Sequence, residues 1–137
     1  MTPEELRRIR VGAFHRLAAE ELDAARLLAT SHPAQAAYFL QQSVEKLARG
    51  VLEMLDVPVG PTHNIHQLAL LMAGQDAWRD RFAALDELSV AATRYRYPGP
   101  KGTLGAMPLD RLVRLLDGVG RLNEEFGAIL LAFANND

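Results

Sequence analysis

The stretch "AAYFLQQSVEKLARGVLEML", residues 36–55, decides the fold. Ala37, Leu40, Val44, Leu47, Val51 and Leu55 recur at steps of three and four, the spacing of one apolar helix face. Pro33 stands in the first turn, where its missing N–H costs nothing, and Ser31 or His32 can cap it. The same stretch holds a polar row, with Gln41, Glu45 and Arg49 at successive i, i+4 positions and Gln42 and Lys46 beside them. Glu45 and Arg49 suit an intrahelical pair of about 0.2–0.5 kcal/mol. The row reads either as a solvated helix face or as the lining of a groove.

Upstream, Thr2, Pro3 and Glu5 form a capping box with proline at the first helical position. Val11, Phe14, Ala18, Leu22, Ala25 and Leu28 then make one stripe that ends at "TSHP", residues 30–33. Downstream, "VPVGPT" (57–62) has two prolines and a glycine and must be a connection. A short helix is expected from about Asn64 to Met72, with Ile65, Leu68 and Leu71 or Met72 inward. The next helix presents Phe82, Leu85, Leu88, Ala92 and Tyr95 on one face, and Pro108 opens a last one. In that last helix Leu109, Leu112, Leu116, Val119, Phe126, Leu130 and Phe133 approximate a heptad stripe, which Gly118 and Gly120 weaken. No segment alternates with period two and no repeat occurs. The expectation is an all-α chain: an up-and-down four-helix bundle with one additional short helix.

At 137 residues the chain suits one domain, with a core large enough to need no metal or disulfide. It has no cysteine, which excludes disulfides, thiolate catalysis and cysteine-based metal sites. No apolar run approaches membrane-spanning length and the N-terminus is too charged for a signal peptide, so a cytoplasmic protein without membrane contact is expected. The net charge of −2 argues against a general nucleic-acid-coating protein. Apolar residues make up 49% of the chain, enough for a second apolar surface, and a homodimer is expected.

The charge is uneven. "TRYRYPGPKG", residues 93–102, interleaves Arg94 and Arg96 with Tyr95 and Tyr97, then turns to Lys101; its three cations meet no acid. Two readings compete. Arginines complement the negative end of a helix, with half-buried tyrosine rings; alternatively, guanidinium forks hold phosphate while tyrosines stack on a base. His63 and His66 sit three apart, but a zinc site needs at least one further ligand, and neither metal nor cofactor is expected. His15 reads as an exposed helix residue and His32 as a cap. No phosphate loop, serine elbow or nucleophilic cysteine is present.

Three segments in order, residues 36–55, "THNIHQL" (62–68) and "TRYRYP" (93–98), resemble the HEPN domain family, in its prokaryotic, nucleotidyltransferase-associated form. The resemblance runs from "LAAEELDAARLLATS" (17–31) through Pro98, about two thirds of the chain, and rests on Tyr38, Gln41, Gln42, Glu45, Lys46, Thr62, His63, Arg96, Tyr97 and Pro98. It implies a single HEPN-like helical domain over residues 1–137, usually dimeric, that binds a nucleotide or RNA or partners a minimal nucleotidyltransferase in a toxin–antitoxin-like system. Members that cut RNA carry arginine, four to six residues, then histidine, late in the domain. Here the last histidine is His66, so neither Arg94 nor Arg96 completes that motif and no catalytic residue is assigned. The same spacing at Arg10 with His15 and at Arg26 with His32 is weak, since about one match is expected by chance, and it falls in the wrong helices. The expected binding set is Arg94, Tyr95, Arg96, Tyr97 and Lys101, with Glu45, Lys46, Arg49 and His63 in an adjacent groove. The alternatives are an RNase toxin with an atypical base, His63 or Glu45, and a pure protein-interaction module.

Overall fold

The computed structural model describes residues 1–136, and for Ala92 the backbone only; the inward position expected for the Ala92 side chain, and Asp137, lie outside the described residues. The elements are α1 (Pro3–Leu28), α2 (Pro33–Met54), α3 (Ile65–Leu70), α4 (Asp76–Ala83), a 3-10 helix (Asp86–Ala92) and α5 (Leu109–Ala134). Among the described residues there is no strand, and no helix is long and apolar enough to cross a membrane.

The α1 helix starts at the capping box, with Thr2 Oγ1 accepting from the Glu5 N–H and the Glu5 carboxylate accepting from the Thr2 N–H. His32 takes the cap position of α2 but makes no capping bond with its side chain; its ring pairs with Ser31 instead. The α2 helix is the centre of the molecule: twelve of its 22 residues are buried, spread around most of its circumference. It ends where Asp56 enters the left-handed region at φ 58°, and the Val57 N–H returns to the Leu52 carbonyl.

Two devices join α1, α2 and α5. Gly50 lies where the three meet, so that an added Cβ would stand 2.8 Å from Leu130 Cδ1 and 3.2 Å from Phe14 Cβ. Ser43 is buried between its neighbours; its hydroxyl donates to the Ala18 carbonyl of α1 at 2.7 Å and accepts from Asn123 of α5 at 3.0 Å. Trp78 and Phe82 of α4 then pack on Phe126 of α5, with ring centroids 5.6 and 4.8 Å apart, and seal the third side.

The fourth long helix does not form. The segment expected to run unbroken from Phe82 to Tyr95 divides into α4, the 3-10 helix and a run of turns. Its polar side chains explain the break. Asp86 accepts the His66 N–H, and the Ser89 hydroxyl accepts the Ile65 N–H while donating to Asp86. With Asn64 accepting from Gln67, these side chains satisfy the first turn of α3. In α5 the inward set also shifts: Leu115 and Leu122 are buried, whereas Leu109 is exposed. His15 is half-buried rather than exposed, because its Nε2 lies 2.9 Å from the place a Cβ on Gly127 would occupy; burial lowers its pKa from the ordinary histidine value.

Candidate functional site

Tyr38, Gln42, Glu45 and Arg49 follow one another at steps of four, three and four, which puts them on one face of α2. Glu45 is the hub of this face and is buried. One carboxylate oxygen accepts from Arg49 Nε at 3.2 Å and from His63 Nδ1 at 2.7 Å. The other accepts from Gln41 and Gln42, each at 3.4 Å. The groups that hold Glu45 also hold the chain that returns to α2: Gln41 donates to the His63 carbonyl at 3.2 Å, and Arg49 donates to the Thr62 carbonyl.

Lys46 points to α1, where it donates to Glu21 at 3.1 Å and to Gln42 at 2.9 Å. The second Glu21 oxygen is buried with no hydrogen-bond partner among the described residues. Burial accordingly pushes the Glu21 carboxyl above its ordinary value, against the hydrogen bond from Lys46. Of this set His63 is the one largely open to solvent, its side chain 74% exposed, whereas Lys46 and Arg49 are about one-fifth exposed. Glu45, Lys46 and Arg49 are therefore occupied by their neighbours rather than open toward a ligand.

The turns after the 3-10 helix form a ridge with two sides. On one side Tyr95 and Arg96 face the start of α2, making a cleft of about 320 Å³ with Ala34, Gln35, Tyr38 and Phe39. The Arg96 guanidinium stands 4.3 Å above the centre of the Tyr38 ring, a cation–π contact. On the other side Arg94 and Tyr97 line a cleft of about 450 Å³ with Thr93, Pro98, Gly99, Thr103 and Gly105. That side is closed by a tight turn in which the Gly99 N–H donates to the Thr103 carbonyl at 2.8 Å and Gly102 takes φ 77°. Gly105 brings its backbone against Tyr95. Lys101 is exposed at the tip of this turn and lines neither cleft.

The residues singled out in the sequence thus come together in two groups. Glu45, Lys46, Arg49 and His63 form one network; Arg94 to Tyr97 form the ridge. Tyr38 links them, under Arg96 at one end and one heptad, about 10 Å along the axis, from Glu45 at the other. Tyr38, Phe39 and Gln35 were not in the expected binding set, although the register of Tyr38 with Glu45 on α2 points to it.

Charge separates the groups. Arg49, Lys46 and most other cations are paired, while Arg94, Arg96 and Lys101 enter no ion pair among the described residues. No group of three or more histidines and carboxylates capable of holding a metal ion occurs among the described residues.

Residues 12–114 match the family model described as the HEPN domain, a span that contains both groups. Neither the curated proteins nor the solved structures contain a match to the chain.

Proposed function

Since the chain belongs to the HEPN domain family, we propose that it binds a nucleotide or RNA through the Arg94–Tyr97 ridge and does so without cutting it. The observation that carries this reading is the state of the cations. Arg94, Arg96 and Lys101 have no carboxylate partner among the described residues, whereas Lys46 and Arg49 are held by Glu21 and Glu45. An exposed guanidinium free of an internal acid is available to form the paired, charge-assisted hydrogen bonds that phosphate accepts. Tyr95 and Tyr97 supply ring faces beside the arginines. The Glu45 network fixes the return of Thr62 and His63 onto α2 and so supports the surface beside the ridge.

The wider role in this proposal is one half of a toxin–antitoxin-like pair with a minimal nucleotidyltransferase, the chain itself being dimeric. Leu6, Ile9 and Leu17 are 41–55% exposed along α1, which supports an apolar contact surface there. Titration with a fluorescent oligonucleotide tests the ligand. Replacing Arg94 and Arg96 together with alanine is expected to abolish binding, and unchanged affinity would overturn the assignment.

One geometric feature favours a second reading, an RNase with His63 as base. His63 Nδ1 lies 2.7 Å from a buried carboxylate that orients the ring, while its side chain is open to solvent and Arg49 stands beside the same carboxylate. A carboxylate-oriented histidine that is open to solvent is a workable base. Incubating the purified protein with mixed RNA decides between the readings. Binding without cleavage fits the first, whereas cleavage that a His63→Ala variant loses fits the second.

A further inference from the structure

We infer that the ridge takes a single strand of nucleic acid across two successive nucleotides, one in each flanking cleft. This rests on the proposed reading of the ridge as a phosphate-binding surface and specifies what it binds. The two clefts repeat the same equipment. One offers Arg96 with Tyr38, Phe39 and Tyr95; the other offers Arg94 with Tyr97. Each therefore joins one guanidinium to at least one ring, the combination that serves a phosphate and a base together.

Neither cleft is lined by an acidic residue. Three other surface clefts are, by Asp80 beside α5, by Asp23 and Glu124 between α1 and α5, and by Glu87 near the start of α5. In those three the acids stand beside arginines, Arg81 and Arg121, Arg26, and Arg111 and Arg114 respectively, so only the two clefts beside the ridge offer a polyanion arginine with no carboxylate in the lining.

Size and shape set the length and the strandedness. Volumes of about 320 and 450 Å³ lie at the low end for ligand pockets, room for one nucleotide each. Arg94 and Arg96 are separated by a single residue, so a strand that occupies both clefts must cross the backbone between them, with its bases splayed to either side. Bases in a duplex are stacked and cannot separate in this way, whereas single strands splay readily onto aromatic rings and guanidinium planes. Stacking on rings tolerates any base, so the site is expected to read strand and length rather than sequence.

The test is a titration series with uridine monophosphate, a 5′-phosphorylated uridine dinucleotide, a uridine hexanucleotide, a thymidine hexanucleotide and a short RNA hairpin lacking single-stranded ends. The dinucleotide is expected to bind about tenfold or more tightly than the mononucleotide, and the hairpin weakly. For the dinucleotide, Arg96→Ala on one side and Tyr97→Ala on the other should each remove most of that gain; both side chains are exposed, and a thermal melt checks that the variants fold. The thymidine strand distinguishes the source: equal binding assigns the site to single strands generally, weaker binding to RNA. Mononucleotide binding with no gain on lengthening, or sensitivity to one of the two variants alone, overturns the two-cleft inference and leaves nucleotide binding standing. Failure of every probe to bind overturns the reading of the ridge itself.

Discussion

Glu21 and Glu45 show how much a carboxylate's environment decides what it does. Glu45 is buried yet accepts from four side chains, so the cost of removing it from water is offset by hydrogen bonds and by Arg49. Glu21 has Lys46 on one oxygen and no hydrogen-bond partner among the described residues on the other. Its folded pKa is raised above the ordinary 4.5 by burial, so the folded state holds this proton more tightly than the unfolded state does. The stability it contributes is complete below pH 4.5 and is lost as the pH rises through the folded value. A Glu21→Gln variant, neutral throughout, should lack this loss. Urea melts from pH 4.5 toward neutrality should show the wild type losing stability relative to the variant, and parallel profiles would contradict it. Nothing in the sequence marks Glu21, because its significance comes from a lysine twenty-five positions away.

At the scale of elements, two glycines respond oppositely to the same substitution. Gly50→Ala places a methyl 2.8 Å from a Leu130 methyl that is itself fully buried, and 3.2 Å from Phe14 Cβ, the side-chain atom attached directly to the α1 backbone. The overpacking should cost roughly 1–3 kcal/mol, outweighing the gain in helix propensity. Gly118→Ala meets nothing within 4 Å and should stabilise by about 0.5–1 kcal/mol. Thermal melts of the two variants should move in opposite directions. The three long helices were legible because period and start or stop signals agree: Thr2–Pro3–Glu5 caps α1, Pro33 starts α2, "VPVGPT" follows its end, and Pro108 precedes α5. The fourth was misread for a physical reason. Phe82, Leu85 and Leu88 do keep helical spacing, but Asp86 and Ser89, each next to one of these leucines, turn their side chains to the N-terminus of α3. Periodicity carries no record of such a tertiary partner.

Across the whole molecule, a chain of net charge −2 carries three of its five cations without an ion pair among the described residues on one short segment, Arg94 to Lys101, the other two being Arg16 and Arg114. The density of cations in residues 94–101 could be read directly. The division of Arg94 and Arg96 between two clefts could not, because the way each of four turn residues faces depends on where α2 and the Pro98–Gly105 loop pack. The same packing separates the expected binding set: Glu45, Lys46 and Arg49 were legible as a polar row on α2, but that they are paired internally follows from the positions of Glu21, Thr62 and His63. The central claim is that Arg94 and Arg96 hold phosphate. It is tested most directly by the salt dependence of single-stranded RNA binding, measured for the wild type and for variants that lack one arginine. Each phosphate contact on a single strand contributes about 0.7 to the slope of log affinity against log salt. Arg94→Ala and Arg96→Ala should each reduce the slope by about that amount and weaken binding at low salt; slopes and affinities equal to those of the wild type would contradict the account.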